Sequence, residues 1–427
     1  MRSHQLSTLD GGVRVVSERI DSVRSVAIGF WIGTGSRDEP PARAGVSHFL
    51  EHLLFKGSDR YDAQQVAEIF DTLGGDLNAA TSRETTVVYA RVPDEHLELA
   101  LDVMTDMVFR PALSEVDAER DVVLEEIAMV DDNPQELVHD LAAEAVFGSH
   151  PLGRPVIGSA EVISSVSRRA LQSFHRGAYV GENIVIAAAG NVRHSRLTQL
   201  LTPRIEDTRG ELRLARRRVR RTLPPGSRFL QKDTEQYHVC LAAPGIRRAD
   251  ERRYAASLLD AIVGGSASSR LFQEIREKRG MAYSVYSFGS QYEDCGLVGL
   301  YVGTREENLT TCLEIAVAEL ADVAAGNLRP GELERAKENM KGRLLLSLES
   351  TSARMTRLGK AVVTDVEITP IDETIARVEA VTEADVAALA TELLAPGVLS
   401  AAGIGPSEKR FRSAVERVNP AALVRAA

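Results

Sequence analysis

The stretch His48-Phe49-Leu50-Glu51-His52 decides how the chain is read. On a helix, residues four apart lie one turn above one another, so both imidazoles can reach one metal ion. Glu51 directly precedes the second histidine, and its flexible side chain can swing toward a water on that metal. The order is H-x-x-E-H, the reverse of the H-E-x-x-H zinc pattern. Gly45, Val46, Phe49, Leu50, Leu53, Leu54 and Phe55 surround it with small and apolar side chains, the composition of a buried helix. The bland alternative is two histidines that merely share a helix, satisfied by backbone or water. Five residues alone make a weak pattern, and the rest of the chain must carry the weight.

Length and composition bound the answer. A chain of 427 residues suggests more than one packing unit. With 44% hydrophobic and 26% charged residues it has the balance of an ordinary globular protein. No run of about 18 apolar residues is present, so no membrane-spanning helix is expected. The start, Met1-Arg2-Ser3-His4-Gln5-Leu6, lacks the apolar core of a signal peptide. Cys240, Cys295 and Cys312 are an odd number without C-x-x-C spacing, which argues against a disulfide framework and fits a reducing cytoplasm. A formal net charge of −10 argues against a nucleic-acid binder. The run Arg216-Arg217-Arg218-Val219-Arg220-Arg221 is the exception, but no aromatic residues interleave it, so it reads as a solvated linker face.

Along the chain, residues 13–16 and 25–32 read as strands. The histidine helix follows and is expected to close at Lys56-Gly57, where glycine suits a C-cap. Residues 63–73 have helical spacing, 76–80 and 85–92 read as a strand pair, and 97–108 as an amphipathic helix. A helix through Glu119 and Glu126 is interrupted at Asn133-Pro134, and 135–147 is helical again. Residues 184–190 read as a buried strand. The polar, Arg-rich segment 206–227, ending in Pro224-Pro225-Gly226, is the expected linker between domains 1–205 and 228–427. The second half repeats the order of the first: a strand at 237–243 followed by Pro244-Gly245, then Asp250-Glu251 and a helix at 253–263, without H-x-x-E-H. An internal duplication with one active copy explains this economically. Gly264-Gly265-Ser266 lacks the ending of a phosphate loop and reads as a turn beside that helix.

A catalytic zinc needs three protein ligands and an open position. Glu119 and Glu126 are two turns apart on one helical face, and Glu125 points about 100° away. Periodicity does not choose between Glu119 and Glu126.

The stretches His48-Phe49-Leu50-Glu51-His52-Leu53-Leu54-Phe55-Lys56-Gly57 and Glu119-Arg120-Asp121-Val122-Val123-Leu124-Glu125-Glu126 resemble the pitrilysin/insulysin family. The likeness is greatest to its short branch, with the mitochondrial processing peptidase β subunit and bacterial processing-protease-like enzymes. Asn78-Ala79-Ala80-Thr81-Ser82 is similar to the family's substrate-pairing edge strand, and His150-Pro151-Leu152-Gly153-Arg154-Pro155 and Ala189-Gly190-Asn191-Val192 also match. In the second half, the stretch from Ser268 to Gly280 and Ala282-Tyr283-Ser284-Val285 do so too.

The resemblance implies an α+β fold of two homologous domains, each a mostly antiparallel sheet packed with helices, facing each other as a clamshell around a chamber. It implies that His48, His52 and Glu126 hold one Zn2+ per chain, that Glu51 is the general base, and that Glu119 supports the site. Asn78 and Ala79 are the expected strand-pairing residues, with Arg276 and Tyr283 as the second half's contribution to bound substrate. The expected activity is that of a zinc endopeptidase acting on extended peptides or small unfolded proteins, including precursor processing. The chain is expected to be a cytoplasmic homodimer that binds neither nucleic acid nor membrane. One rival expectation is a non-catalytic structural subunit of the same fold, whose metal motif would be degraded, whereas the motif here is whole. A second is a peptide-binding subunit that needs a partner for activity; the intact site, together with Arg276 and Tyr283, argues for self-sufficiency.

Overall fold

A computed structural model describes residues 4–205, 210, 212, 216–219 and 224–424. The chain forms two compact units, and each is assembled from three stretches of sequence. The first takes Met1–Ala128, Pro155–Arg217 and Leu344–Pro370; the second takes Met129–Arg154, Arg218–Arg343 and Ile371–Ala427.

The first unit is built on a sheet of β1 (Gln5–Thr8), β2 (Arg14–Arg19), β3 (Ser25–Ile32), β4 (Asp76–Thr81), β5 (Thr86–Pro93) and β6 (Ile184–Gly190). The strand order is β1-β2-β6-β3-β5-β4, so β4 is an edge. Only β2 and β6 run parallel. Both faces of the sheet are covered, which is why β3 reads as an unbroken apolar run. Val26, Ile28, Phe30 and Ile32 join the larger core with the helices Val46–Leu54 and Leu97–Phe109. Ala27 and Trp31 point the other way, onto the helix Thr351–Val363.

The second unit repeats the plan with one strand fewer. Its strands are β7 (Ser227–Gln231), β8 (Tyr237–Gly245), β9 (Ala282–Gln291), β10 (Gly296–Thr304) and β11 (Ser400–Gly405), in the order β7-β11-β8-β10-β9. Again only one neighbouring pair, β7 and β11, is parallel. Tyr237, Val239, Leu241 and Ala243 of β8 face one core; Cys240 and Ala242 face a second, shared with the helix Pro134–Phe147. All three cysteines are buried, and no disulfide joins them. No helix among the described residues is long and apolar enough to cross a membrane.

The units depart from the continuous halves expected from the sequence at two helices. Pro134–Phe147 belongs to the second unit although it lies in the first half, and Thr351–Val363 belongs to the first although it lies in the second. Packing explains both. Pro134–Phe147 is capped by Asn133 and lines up Val138, Ala142 and Val146 at four-residue spacing against β8 and β11. Thr351–Val363 is capped by Ser350 and lays Met355, Leu358 and Val362 on β2, β3 and β6. Each such buried side chain contributes roughly 1.5–3 kcal/mol relative to exposure. Gly359 is required there, because a Cβ would stand 2.1 Å from Trp31 Nε1.

The basic run also differs from expectation. Arg220 and Arg221 lie outside the described residues. Arg216, however, is not a solvated linker residue: its guanidinium makes a pair of 2.8 Å bonds to the Asp38 carboxylate and reaches the carbonyls of Gly33 and Glu84. The carbonyl of Arg217 accepts from Arg37, which is itself buried against Glu84. An arginine run cannot announce acidic partners that lie far away in sequence.

Candidate metal centre

The histidine helix is set at its start by a residue that the sequence does not single out. Glu39, 3% exposed, accepts the backbone N–H groups of Gly45 (2.7 Å) and Ser47 (2.6 Å), doing the work of a capping side chain. Gly45 sits at φ 94°, and a Cβ there would lie 2.5 Å from the Ile157 carbonyl, so glycine is needed. The helix ends at Leu54, earlier than the expected Lys56-Gly57, because the N–H groups of Phe55 and Lys56 turn back to His52 and Leu53. Phe49, Leu50, Leu53 and Leu54 are fully buried, which leaves His48, Glu51 and His52 on the partly open face.

Glu126 comes to this face from the helix Val116–Asp131. Its Oε2 is 3.6 Å from His48 Nε2 and 3.4 Å from His52 Nε2. The three ligand atoms lie within 4.8 Å of one another, and the imidazole rings are 4.6 Å apart. Glu119, two turns earlier, is buried and takes the other side of His52, with Oε1 2.9 Å from His52 Nδ1 and Oε2 2.6 Å from Lys56 Nζ. The structure thus separates the two acids that periodicity leaves equivalent. Glu125 is exposed.

The donor set suits zinc: two imidazole nitrogens, one carboxylate oxygen and a partly open side. With Nδ1–H donating to Glu119, the His52 Nε2 lone pair is left toward the shared point. Burial first, and then the neighbouring His52, lower the His48 pKa to about 4, so its ring is neutral and able to ligate at ordinary pH. Its buried Nδ1 has no hydrogen-bond partner among the described residues.

Glu51 lies between the ligands in sequence and against β4 in space. Its Oε2 accepts a 2.5 Å bond from the Thr81 hydroxyl. Burial raises its pKa, opposed by the Thr81 bond and by His52, which is the direction that suits a group that takes and returns a proton. Tyr179, fully buried, lies within electrostatic reach of Glu51; burial raises its pKa above the ordinary phenol range, so it stays neutral. Along the β4 edge, Asn78 is exposed and its Oδ1 accepts the Ala79 N–H at 2.8 Å, covering an edge donor with the strand's own side chain.

Arg276 and Tyr283 form their own arrangement in the second unit. Arg276 ends a wide helical turn, Phe272–Glu277, and Tyr283 begins β9. The guanidinium lies 4.6 Å from the Phe272 ring centre and 4.7 Å from that of Tyr283, which is 76% exposed.

The sequence reading missed the roles of Glu39, Lys56, Thr81 and Tyr179. Lys56 carried a signal, standing four residues after His52 on the same face. Thr81 stood within a quoted stretch, but its contact with Glu51 depends on how β4 docks on the helix.

Comparison with known proteins identifies the family. Residues 14–160 match the insulinase model of peptidase family M16, and residues 165–340 match the M16 inactive domain. An uncharacterized zinc protease of Streptomyces coelicolor is 44% identical over 91% of this chain and 86% of its own. One from Mycobacterium tuberculosis is 42% identical over 94% and 92%, and one from Bacillus subtilis 41% over 94% and 99%. Among solved structures, a protease from Helicobacter pylori superposes with a TM-score of 0.88 at 22% identity, covering 95% of this chain and all of that one. An M16 inactive domain from Pseudomonas fluorescens gives 0.87 at 22%, covering 95% and 98%; at such identities the likeness speaks to fold. With zinc-protease relatives 41–44% identical along nearly its whole length, the chain belongs to the pitrilysin-type M16 peptidase family.

Proposed function

We propose that the chain is a zinc-dependent endopeptidase with one zinc per chain, acting on peptides or small unfolded proteins bound extended beside β4, precursor peptides among them. The observation that carries this reading is the convergence of His48, His52 and Glu126 with Glu51 on the same helix. When bound, zinc lowers the pKa of water from about 15.7 toward about 7 and polarises the carbonyl under attack. Glu51 accepts a proton from the attacking water and returns it to the leaving amine. Glu119 and Lys56 hold the His52 ring in its ligating tautomer. Substrate adds as a strand to the β4 edge, displacing the Asn78 side chain from the Ala79 N–H. Tyr283 donates its hydroxyl to the developing oxyanion and Arg276 holds substrate; the exposure of Tyr283 and its stacking on Arg276 support this role. A cytoplasmic homodimer is part of the same reading; cysteines without a disulfide favour a reducing compartment.

The test is hydrolysis of quenched fluorescent peptides by the purified full chain, with bound zinc measured alongside. Wild type should cleave at a zinc-to-chain ratio near one. Glu51→Gln should keep the zinc and lose activity by about 10²–10⁴-fold. A zinc-loaded wild type that cleaves nothing would overturn self-sufficient peptidase activity, and an active Glu51→Gln would remove Glu51 as the base.

A further inference from the structure

Glu51 has one side-chain hydrogen-bond partner among the described residues, the Thr81 hydroxyl on Oε2, and the Thr81 backbone favours the same carboxylate. A hydroxyl has a single proton to donate. That of Thr86, 3.5 Å from Thr81 Oγ1, goes to the Thr34 carbonyl at 3.1 Å, so Thr86 does not compete by donating. Tyr179 is buried close by, but its hydroxyl lies toward Thr86 and makes no hydrogen bond to Glu51 among the described residues. Thr81 is in turn held on a braced hairpin. Ser82 and Arg83 at its tip accept the backbone N–H groups of Ser36 and Arg37, and Glu84 pairs with the buried Arg37 at 2.6 Å. A β-branched side chain on such a strand has little freedom at χ1.

We infer that Thr81 is a positioning residue for Glu51. Its hydroxyl occupies Oε2 and fixes the rotamer, so that Oε1 is the oxygen left to take the proton from water and give it to the leaving amine. This rests on the reading of Glu51 as general base. It also ties two functions to one strand: the edge proposed to receive substrate ends in the residue that aims the base. A peptide settling on β4 in the wrong register would disturb Thr81, and with it the proton transfer.

The test compares the zinc-loaded full-length wild type with Thr81→Val, which replaces the hydroxyl by a methyl group, and Thr81→Ser, which keeps it. Thr81→Val should lose kcat by on the order of 10- to 100-fold with KM and zinc content near wild type, because a misplacement of about 1 Å is enough for such a loss. Thr81→Ser should restore most of it. Should valine unfold the edge strand, Thr81→Ala removes the hydroxyl without an added apolar branch and carries the same expectation. A second readout is independent of activity: crystal structures should show Glu51 in one rotamer in wild type and Thr81→Ser, and spread over several in Thr81→Val or Thr81→Ala. A single unchanged rotamer without the hydroxyl overturns the inference, as does a serine variant as impaired as the valine. If wild type cleaves no peptide, the proposed function fails, while the rotamer comparison still decides the role of Thr81.

Discussion

The two units share a frame and differ in what stands on it. β2, β6, β3, β5 and β4 of the first correspond in order and direction to β7, β11, β8, β10 and β9 of the second. A helix packs on the outermost strand pair in each: Val46–Leu54 by β4, Arg253–Val263 by β9. Even the buried acid recurs. Glu51 accepts from Thr81 on β4, and Asp260 accepts from Ser287 on β9 at 2.6 Å; burial raises both carboxyls and the hydroxyl bond opposes it. With Glu51 and Asp260 taken as equivalent, the positions of His48 and His52 fall on Ser257 and Ala261. An acid–hydroxyl pair thus joins helix to edge strand in both units, and the two histidines accompany it in the first alone.

The strongest way to break this comparison is to treat the acids alike. Glu126→Gln should lose zinc and hydrolysis together, whereas Glu125→Gln, on the exposed side, keeps both. Glu119→Gln should fall between, with about 10- to 100-fold loss, as removal of a group that orients a ligand usually gives. Asp260→Asn should leave kcat and zinc content at wild-type values; a loss of turnover at full zinc would make the two acid–hydroxyl pairs functionally equal.

Next in size, Tyr283→Phe tests what the second unit supplies instead of ligands. Fold and zinc should persist while kcat falls on the order of 10²-fold, by analogy with other oxyanion donors. Full activity in the zinc-loaded variant would leave the exposed tyrosine without a chemical role.

Stability sharpens the comparison of the exchanged helices. Leu358→Ala in the first unit and Phe147→Ala in the second each empty a buried site and should cost about 2–5 kcal/mol in denaturant unfolding. Values near zero for either would mean that the borrowed helix adds little to its sheet.

The smallest effect separates carboxylates within the second unit. Lys278 and Arg279 hydrogen-bond Glu274 at 2.6 and 2.8 Å and lower its pKa to about 2, the opposite sense to Asp260. The folded value lies below the unfolded value of about 4.3. The stability it contributes is present above that pH and is lost as pH falls toward about 2. Glu274→Gln should thus be less stable than wild type at neutral pH, with the gap closing in acid; a gap independent of pH would contradict the ion pairs.

Much of this was legible in the sequence, for identifiable reasons. β3 falls on the expected residues because its apolar run is long, and the helix Ala63–Leu73 because its apolar spacing is helical and bounded by the capping residues Asp62 and Gly74. His48, Glu51 and His52 were readable because they belong to one helix, where spacing is geometry. Glu126 and Glu119 were not separable by period, since both share a face; only the depth of each along the histidine helix distinguishes them. The exchanged helices were hidden for another reason. Val138, Ala142 and Val146 announce an apolar face but not whose sheet it covers. Arg216 looked solvated because Asp38 and Glu84 are brought to it by the fold alone.

The exchange of helices also sets a timetable for synthesis. Trp31, Ala27, Val185 and Ala187 are covered by residues that leave the ribosome long after β6 is complete. At about 5–20 residues per second, the stretch from Gly190 to Thr351 takes on the order of ten seconds to emerge. Through that interval the nascent first sheet carries a bare apolar face. The late position of this one helix thus sets how long that face waits for its cover.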